Sequence, residues 1–98
     1  MTNYRILEID NLDSLLNGSL NYLDCINHNQ IGKVLDSNNT LISYITPIMI
    51  LSWKKPDNYI SKIKKLINKG ANLDRRINYF GVMMNTKDVL KKYNIKID

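Results

Sequence analysis

Cys25 and His28 are the two residues of this sequence whose side chains and spacing are suited to catalysis or metal binding. Three positions apart, they share one face if their segment is helical. A cysteine beside a histidine pairs a thiol nucleophile with a base, and both side chains are also zinc ligands. The chain has one cysteine and one histidine, so neither a zinc set nor a catalytic triad is completed. We therefore predict no catalytic residues, no metal site and no cofactor, and the protein is not expected to be an enzyme.

The distribution of charge is a stronger signal. Residues 1–36 carry two basic and five acidic residues, a net −3, whereas residues 54–76 carry six lysines and two arginines against two aspartates, a net +6. Such a basic surface attracts nucleic acid or an acidic protein, and a neighbouring tryptophan can stack on a base or anchor an interface. The alternative is a solvated helix surface with Trp53 packed in the core. The candidate partner-binding residues of this stretch are Trp53, Lys54, Lys55, Lys62, Lys65, Lys69, Arg75 and Arg76.

A helix, a turn and a second helix are predicted to position these residues. Thr46 is a suitable N-cap, and Pro47 suits the first helical position because its missing N–H costs nothing there. The second helix is predicted from Tyr59, since apolar residues then recur at helical spacing while lysines fall on another face. Gly70 stands where a left-handed residue would close that helix.

The segments before this unit predict a mixture of elements. Four turn-forming residues at 36–39 separate two β-prone runs, which predicts a β-hairpin near residues 31–45. Residues 4–9 fit either a strand or the lead-in to a helix. Residues 12–26 are predicted to be helical, either as one helix or as two short helices that meet at Gly18.

The segments after the unit are predicted to be helical. An apolar segment at residues 77–84 is expected to enter a helix near Asn78, with Gly81 weakening it. A last helix is predicted at residues 86–93, with Asp88 in its first turn and lysines in its last, as the helix dipole favours.

Residues 46–74 resemble the ankyrin repeat. The resemblance is carried by Thr46-Pro47-Ile48 at the first helix and Gly70-Ala71-Asn72-Leu73-Asp74 after the second, and it covers under a third of the chain. The chain departs from the family pattern at Met49, where the repeat has histidine, and at Leu51 and Ser52, where it has small residues.

The resemblance implies a mainly α fold, a short ankyrin-like stack of helix-turn-helix units with the hairpin near 31–45, forming a single small domain over residues 1–98. In that family the tips of the hairpins often contact partners. Asn38 and Asn39 are therefore added to the candidate partner-binding residues. Because arrays of this type need about three or more repeats to be stable alone, a homodimer or a stabilising partner is expected.

Together these observations predict a protein–protein interaction module, an ankyrin-like adaptor or effector that binds a protein partner, with acidic surfaces favoured, and has no catalytic activity. The alternative is a basic helical nucleic-acid-binding protein. The single cysteine and the absence of a signal-like N-terminus predict a reducing intracellular, cytoplasmic compartment. The longest uncharged run is too short in its apolar part to cross a bilayer. The abundance of Asn, Ile and Lys is typical of an AT-rich genome, as in large DNA viruses, whose proteins can act in a host cell, and intracellular bacteria.

Overall fold

Short strands and short helices alternate along the chain. The structure is a computed structural model that describes residues 3–97. In chain order its elements are β1 (Arg5–Leu7), α1 (Leu12–Asn17), a 3₁₀ helix (Leu20–Cys25), β2 (Gly32–Leu35), β3 (Leu41–Ile45), α2 (Pro47–Lys54), α3 (Tyr59–Asn68), β4 (Ile77–Tyr79), β5 (Val82–Met84) and α4 (Thr86–Lys92).

Helix α2 is the central element. It begins where predicted, with Pro47 in its first turn and the Thr46 side chain accepting a hydrogen bond from the Met49 amide at 3.4 Å. All of its residues from Pro47 to Ser52 are buried, and the Ser52 hydroxyl donates to the Ile48 carbonyl at 2.8 Å. A helix that is apolar on every side needs neighbours on every side. Helices α1, α3 and α4 all pack against it.

Helix α3 ends at the predicted glycine. Gly70 has φ +101, the left-handed conformation, and nothing lies within 4 Å of the position that a Cβ would occupy. Its amide donates to the Ile67 carbonyl and the Ala71 amide donates to the Leu66 carbonyl, which is the Schellman pattern of helix termination. The glycine is therefore required by the backbone angle rather than by crowding.

Residues 12–26 form two short helices rather than one. The break falls at Gly18, whose backbone is extended (φ −81, ψ 167). A Cβ at this position would lie 2.6 Å from the Ser14 carbonyl oxygen and 2.9 Å from the Tyr22 ring. Glycine is needed here chiefly because the backbone of Ser14, in the last turns of α1, leaves no room for a side chain.

Within residues 3–97, five strands form two antiparallel sheets. The first has the order β1-β2-β3, so the central part of the undecided segment at 4–9, Arg5–Leu7, is a strand, and the predicted hairpin is present as β2 and β3. Its turn is organised by Asp36, whose Oδ1 accepts from the amides of Asn38 and Thr40. The second sheet is the hairpin of β4 and β5, which is joined to the first by a 3.0 Å hydrogen bond from the Phe80 amide to the Ser43 hydroxyl.

The prediction of a mainly α, ankyrin-like stack is wrong. The described residues are 39% helix and 19% strand, in a small α/β fold with two antiparallel sheets. The error lies chiefly at residues 77–84, which form a hairpin instead of entering a helix. Its two-residue turn, Phe80-Gly81, has positive φ at both positions (49 and 91), the conformation of a type I′ turn. This turn matches the twist of two strands and cannot continue a helix.

One apolar core connects these elements. It contains buried residues from α1, the 3₁₀ helix, both sheets and α2 to α4, for example Leu15, Leu23, Val34, Leu66 and Val89. None of the helices formed by residues 3–97 is long and apolar enough to cross a membrane.

Candidate functional site

The predicted contact residues at the hairpin tip are exposed and serve the turn. Asn39 has φ +63, which asparagine tolerates better than most residues, and its Oδ1 accepts a hydrogen bond from the Arg5 guanidinium. The Asn38 amide is bonded to the Asp36 side chain. Both residues remain accessible to a partner, but each already has a conformational role in the hairpin.

Lys62 lies in the interior. Only 2% of the residue is exposed, and its Nζ donates to the Leu15 and Leu16 carbonyl oxygens at 3.0 and 3.1 Å. These carbonyls belong to the last turn of α1, where a helix lacks internal donors. Desolvation lowers the pKa of Lys62, and the Asp57 carboxylate acts in the opposite direction. Lys62 therefore caps α1 and does not share a surface with Lys54 and Lys55.

Lys65 and Lys69 continue the same face of α3. The Lys69 Nζ donates to the Leu23 carbonyl and, at 2.9 Å, to the Ile26 carbonyl, at the end of the 3₁₀ helix. The Lys65 Nζ lies 3.2 Å from an Asp24 carboxylate oxygen. Part of the charge asymmetry seen in the sequence is thus satisfied by an ion pair within the molecule, between Lys65 of the basic helix and Asp24 of the acidic N-terminal segment.

Arg75 and Arg76 are exposed in the loop after α3. The Arg75 amide donates to the Asn72 side chain at 3.1 Å, and the Arg76 guanidinium lies 3.4 Å from the Met83 carbonyl. The two arginines therefore contact the loop at Asn72 and strand β5.

Cys25 is exposed and His28 is half-buried, and among residues 3–97 no three His, Cys, Asp or Glu side chains are grouped so that they could hold a metal ion.

Trp53 is half-buried at the end of α2, and Lys54 covers part of it. The Lys54 Nζ lies 4.0 Å from the centroid of the Trp53 ring, a cation–π contact worth about 0.5–1 kcal/mol at an exposed site. Trp53 also lines a cavity of about 440 Å³, here called the aromatic cleft. The residues that line the aromatic cleft are Tyr4, Trp53, Tyr79, Phe80, Val82, Met84, Lys92 and Tyr93.

The floor of the aromatic cleft is stiffened by a tyrosine pair. The hydroxyls of Tyr79 and Tyr93 lie 2.6 Å apart, and Tyr79 is almost completely buried. Burial, and secondly the hydrogen bond with Tyr93, raise the pKa of Tyr79 far above its ordinary value. Tyr79 therefore stays protonated and neutral at any physiological pH.

A second cavity, of about 650 Å³, runs between α3 and α4 and was not predicted. We call it the lysine-rimmed groove. It is lined by Lys64, Ile67, Asn68, Leu73, Lys87, Leu90, Lys91, Asn94, Ile95, Lys96 and Ile97. No carboxylate lines it within the described part of the chain. Two features of the sequence point to this groove: Ile67 lies at the edge of the apolar face of α3, and the C-terminal segment is rich in lysine. Nothing in the sequence shows that α3 lies beside α4.

One lysine of the rim is already paired. The Lys87 Nζ lies 2.9 Å from an Asp74 carboxylate oxygen, and both side chains are mostly exposed. Lys64, Lys91 and Lys96 are exposed as well. The rim therefore keeps a net positive charge above an apolar floor.

No protein-family model, no curated protein and no solved structure matches this chain. The resemblance of residues 46–74 to an ankyrin repeat accordingly stays a prediction from the residues that carry it.

Proposed function

We propose that this protein is a protein–protein interaction module without catalytic activity, and that it binds its partner in the lysine-rimmed groove. The single observation that carries the proposal is an apolar floor, open between two helices, beneath a rim of lysines, with no carboxylate of residues 3–97 lining the groove. The partner segment that this surface fits is an amphipathic helix with acidic flanks.

The shape of the groove supports a helical occupant. Two helices, α3 and α4, form its walls, and both pack on α2. A third helix can lie against such a pair at the usual interaxial distance of about 8–10 Å. Its apolar residues, spaced as in other helix-in-groove complexes, would then meet Ile67, Leu90 and Ile95.

The charge of the rim supports an acidic partner. Lys64 lies on the α3 side and Lys91 on the α4 side, so a helix between them would be flanked by ammonium groups along both edges. Opposite charges across an interface accelerate association and exclude wrong partners more than they add affinity. We expect the association rate constant to fall as salt rises, because exposed charges are screened over a Debye length of about 8–10 Å near physiological ionic strength.

The proposal also includes an intracellular, cytoplasmic location. The support is the cysteine content: Cys25 is the single cysteine and is exposed, so the chain has no intramolecular disulfide of the kind that stabilises small secreted domains.

The test is the binding of a defined peptide. A peptide of about three to four helical turns, with Leu at helical spacing and Glu on both flanks, is titrated against the protein by calorimetry. We expect saturable binding. The double variant Lys64→Glu, Lys91→Glu should bind at least tenfold more weakly, while the matched variant Lys54→Glu, Lys55→Glu, with the same change of net charge outside the groove, should bind as the wild type does.

Two outcomes would contradict the proposal. If a peptide with Lys in place of Glu bound as tightly, the lysines of the rim would have no part in recognition. If both double variants lost the same affinity, binding would depend only on net charge. Sedimentation of the protein alone tests whether a second copy occupies the groove. A dimer that the variant Lys64→Glu, Lys91→Glu abolishes would identify a second copy, rather than another protein, as the partner.

A further inference from the structure

The aromatic cleft lies outside the lysine-rimmed groove and shares no lining residue with it. Three of its rings form a triangle, with centroids 5.6 Å apart for Tyr4 and Trp53, 5.2 Å for Trp53 and Phe80, and 5.9 Å for Tyr4 and Phe80. Tyr4 is 39% exposed, and Trp53 and Phe80 are half-buried. The cluster is therefore an incompletely covered aromatic surface rather than a closed part of the core.

Lysines surround this surface. The Lys54 Nζ lies over Trp53, and the Nζ atoms of Lys55 and Lys92 each lie 5.9 Å from the Tyr93 centroid. All three lysines are exposed, and within residues 3–97 no Asp or Glu lines the cleft. Aromatic rings and exposed lysines thus occur together at one place, without a carboxylate from residues 3–97 in the lining.

From this arrangement we infer that the aromatic cleft binds single-stranded nucleic acid, with one base stacked on the exposed side of the Tyr4, Trp53 and Phe80 cluster and the flanking phosphates on Lys54, Lys55 and Lys92. Aromatic stacking and a positively charged path for the backbone are the two components of single-strand binding by proteins. Every base has a π face, so the site is expected to show little sequence preference.

The combination of rings and lysines selects this ligand over two others. In a duplex the bases are stacked on one another, so their faces are not available to protein rings. An acidic peptide would pair with the lysines but would offer the rings no flat partner. The volume of about 440 Å³ is within the roughly 300–1,000 Å³ range of small-ligand sites, so an unstacked base can be accommodated.

Trp53 provides a direct probe because it is the only tryptophan in the chain. Its fluorescence is titrated with oligothymidylate of about ten nucleotides, at several salt concentrations, with polyglutamate of the same charge as the control. We expect saturable quenching by the oligonucleotide and none by polyglutamate. With three lysines on phosphates and a slope of about 0.7 for each on single strands, log affinity should fall against log salt with a slope of about −2.

Two pairs of variants separate the rings from the lysines, with affinity measured by anisotropy of a labelled oligonucleotide. Tyr4→Leu should weaken binding about tenfold through lost stacking, whereas Tyr22→Leu, at an exposed tyrosine outside the cleft, should not change it. Lys92→Gln should reduce the salt slope by about 0.7, whereas Lys64→Gln, at the lysine-rimmed groove, should leave the slope as it is.

The inference is overturned if the oligonucleotide does not quench Trp53, if polyglutamate quenches it equally, or if duplex DNA binds as tightly as the single strand. Equal effects of Lys92→Gln and Lys64→Gln would also overturn it, since binding would then follow net charge alone. None of these measurements uses the amphipathic peptide that tests the lysine-rimmed groove. Their failure therefore leaves the proposed protein contact standing, and failure of the peptide to bind leaves this inference standing.

Discussion

Two faces of helix α3 carry the same residue type and use it differently. On one face, Lys62 and Lys69 donate to carbonyls at the ends of two short helices, and Lys65 pairs with Asp24. On the other, Lys64 lies exposed on the rim of the lysine-rimmed groove. The difference shows that a lysine's role depends on its neighbours. A lysine that reaches the carbonyls of a helix end, or a carboxylate, becomes structural, and one that reaches neither remains available to a partner.

The largest expected effect is that of Lys62→Met, which keeps the apolar stem and removes the ammonium group. The Leu15 and Leu16 carbonyls lose a buried donor, at a cost of about 1–3 kcal/mol in the free energy of unfolding. Urea denaturation measures this loss in the free energy of unfolding. The matched control is Lys64→Met, whose free energy of unfolding is expected to lie within about 0.5 kcal/mol of that of the wild type. A Lys62→Met protein as stable as the wild type would mean that desolvation of the charge cancels its two hydrogen bonds.

Lys69→Met should have the next largest effect. Lys69 is half-buried and donates to the Ile26 carbonyl at 2.9 Å, so we expect a loss of about 0.5–1.5 kcal/mol. Hydrogen exchange would locate the change, with faster exchange confined to residues 20–26. Faster exchange spread over α2 and α3 would show instead that Lys69 supports the whole fold.

Lys65→Met should cost less, about 0.2–1 kcal/mol, because it breaks a partly exposed ion pair with Asp24. The loss should shrink when the denaturation is repeated in high salt, unlike that of Lys62→Met. A double-mutant cycle with Asp24→Asn isolates the pair. A coupling energy of zero would show that the contact contributes nothing to stability.

The smallest effect concerns pH. The pKa of Lys62 is lower in the folded than in the unfolded protein. Between the lowered pKa and 10.5 the unfolded state therefore binds more protons than the folded state. In that pH range the contribution of Lys62 to the free energy of unfolding should rise with pH. The raised pKa of Tyr79 acts in the opposite direction only above 10.0. The difference in unfolding free energy between wild type and Lys62→Met should therefore grow as pH rises from neutral toward 10.0. A difference that shrinks would mean that folding raises the pKa of Lys62 instead of lowering it.

Local signals in the sequence were sufficient where neighbouring residues decide the structure. Thr46 and Pro47 begin α2, Gly70 closes the segment after α3, and the turn at residues 36–39 forms the first hairpin. Each depends on hydrogen bonds or backbone angles within a few residues. The residue types that favour them stand next to one another in the sequence, so these features can be predicted from it.

The failures involve residues that are distant in sequence or in unusual conformations. Phe80 adopts a positive φ that is unfavourable for its residue type, so the sequence predicts a helix weakened by Gly81 where the turn forms. Lys62 finds its acceptors 46 and 47 residues away, and Tyr4 meets Trp53 only through the fold. Neither the interior lysine nor the two cavities could be derived from spacing alone, because spacing does not show which helices become neighbours.

The lysines of α3 also imply an order of local opening. Helix α1 and the 3₁₀ helix have six residues each, far below the roughly 12–15 at which an isolated helix becomes even marginally stable. Their order therefore depends on tertiary contacts: α1 packs against α2 and receives Lys62 from α3, and the 3₁₀ helix packs against α3 and receives Lys69. We expect residues 12–26 to open as a unit at a free energy below that of global unfolding, which would expose Leu15 and Leu23 while α2 and α3 stay folded.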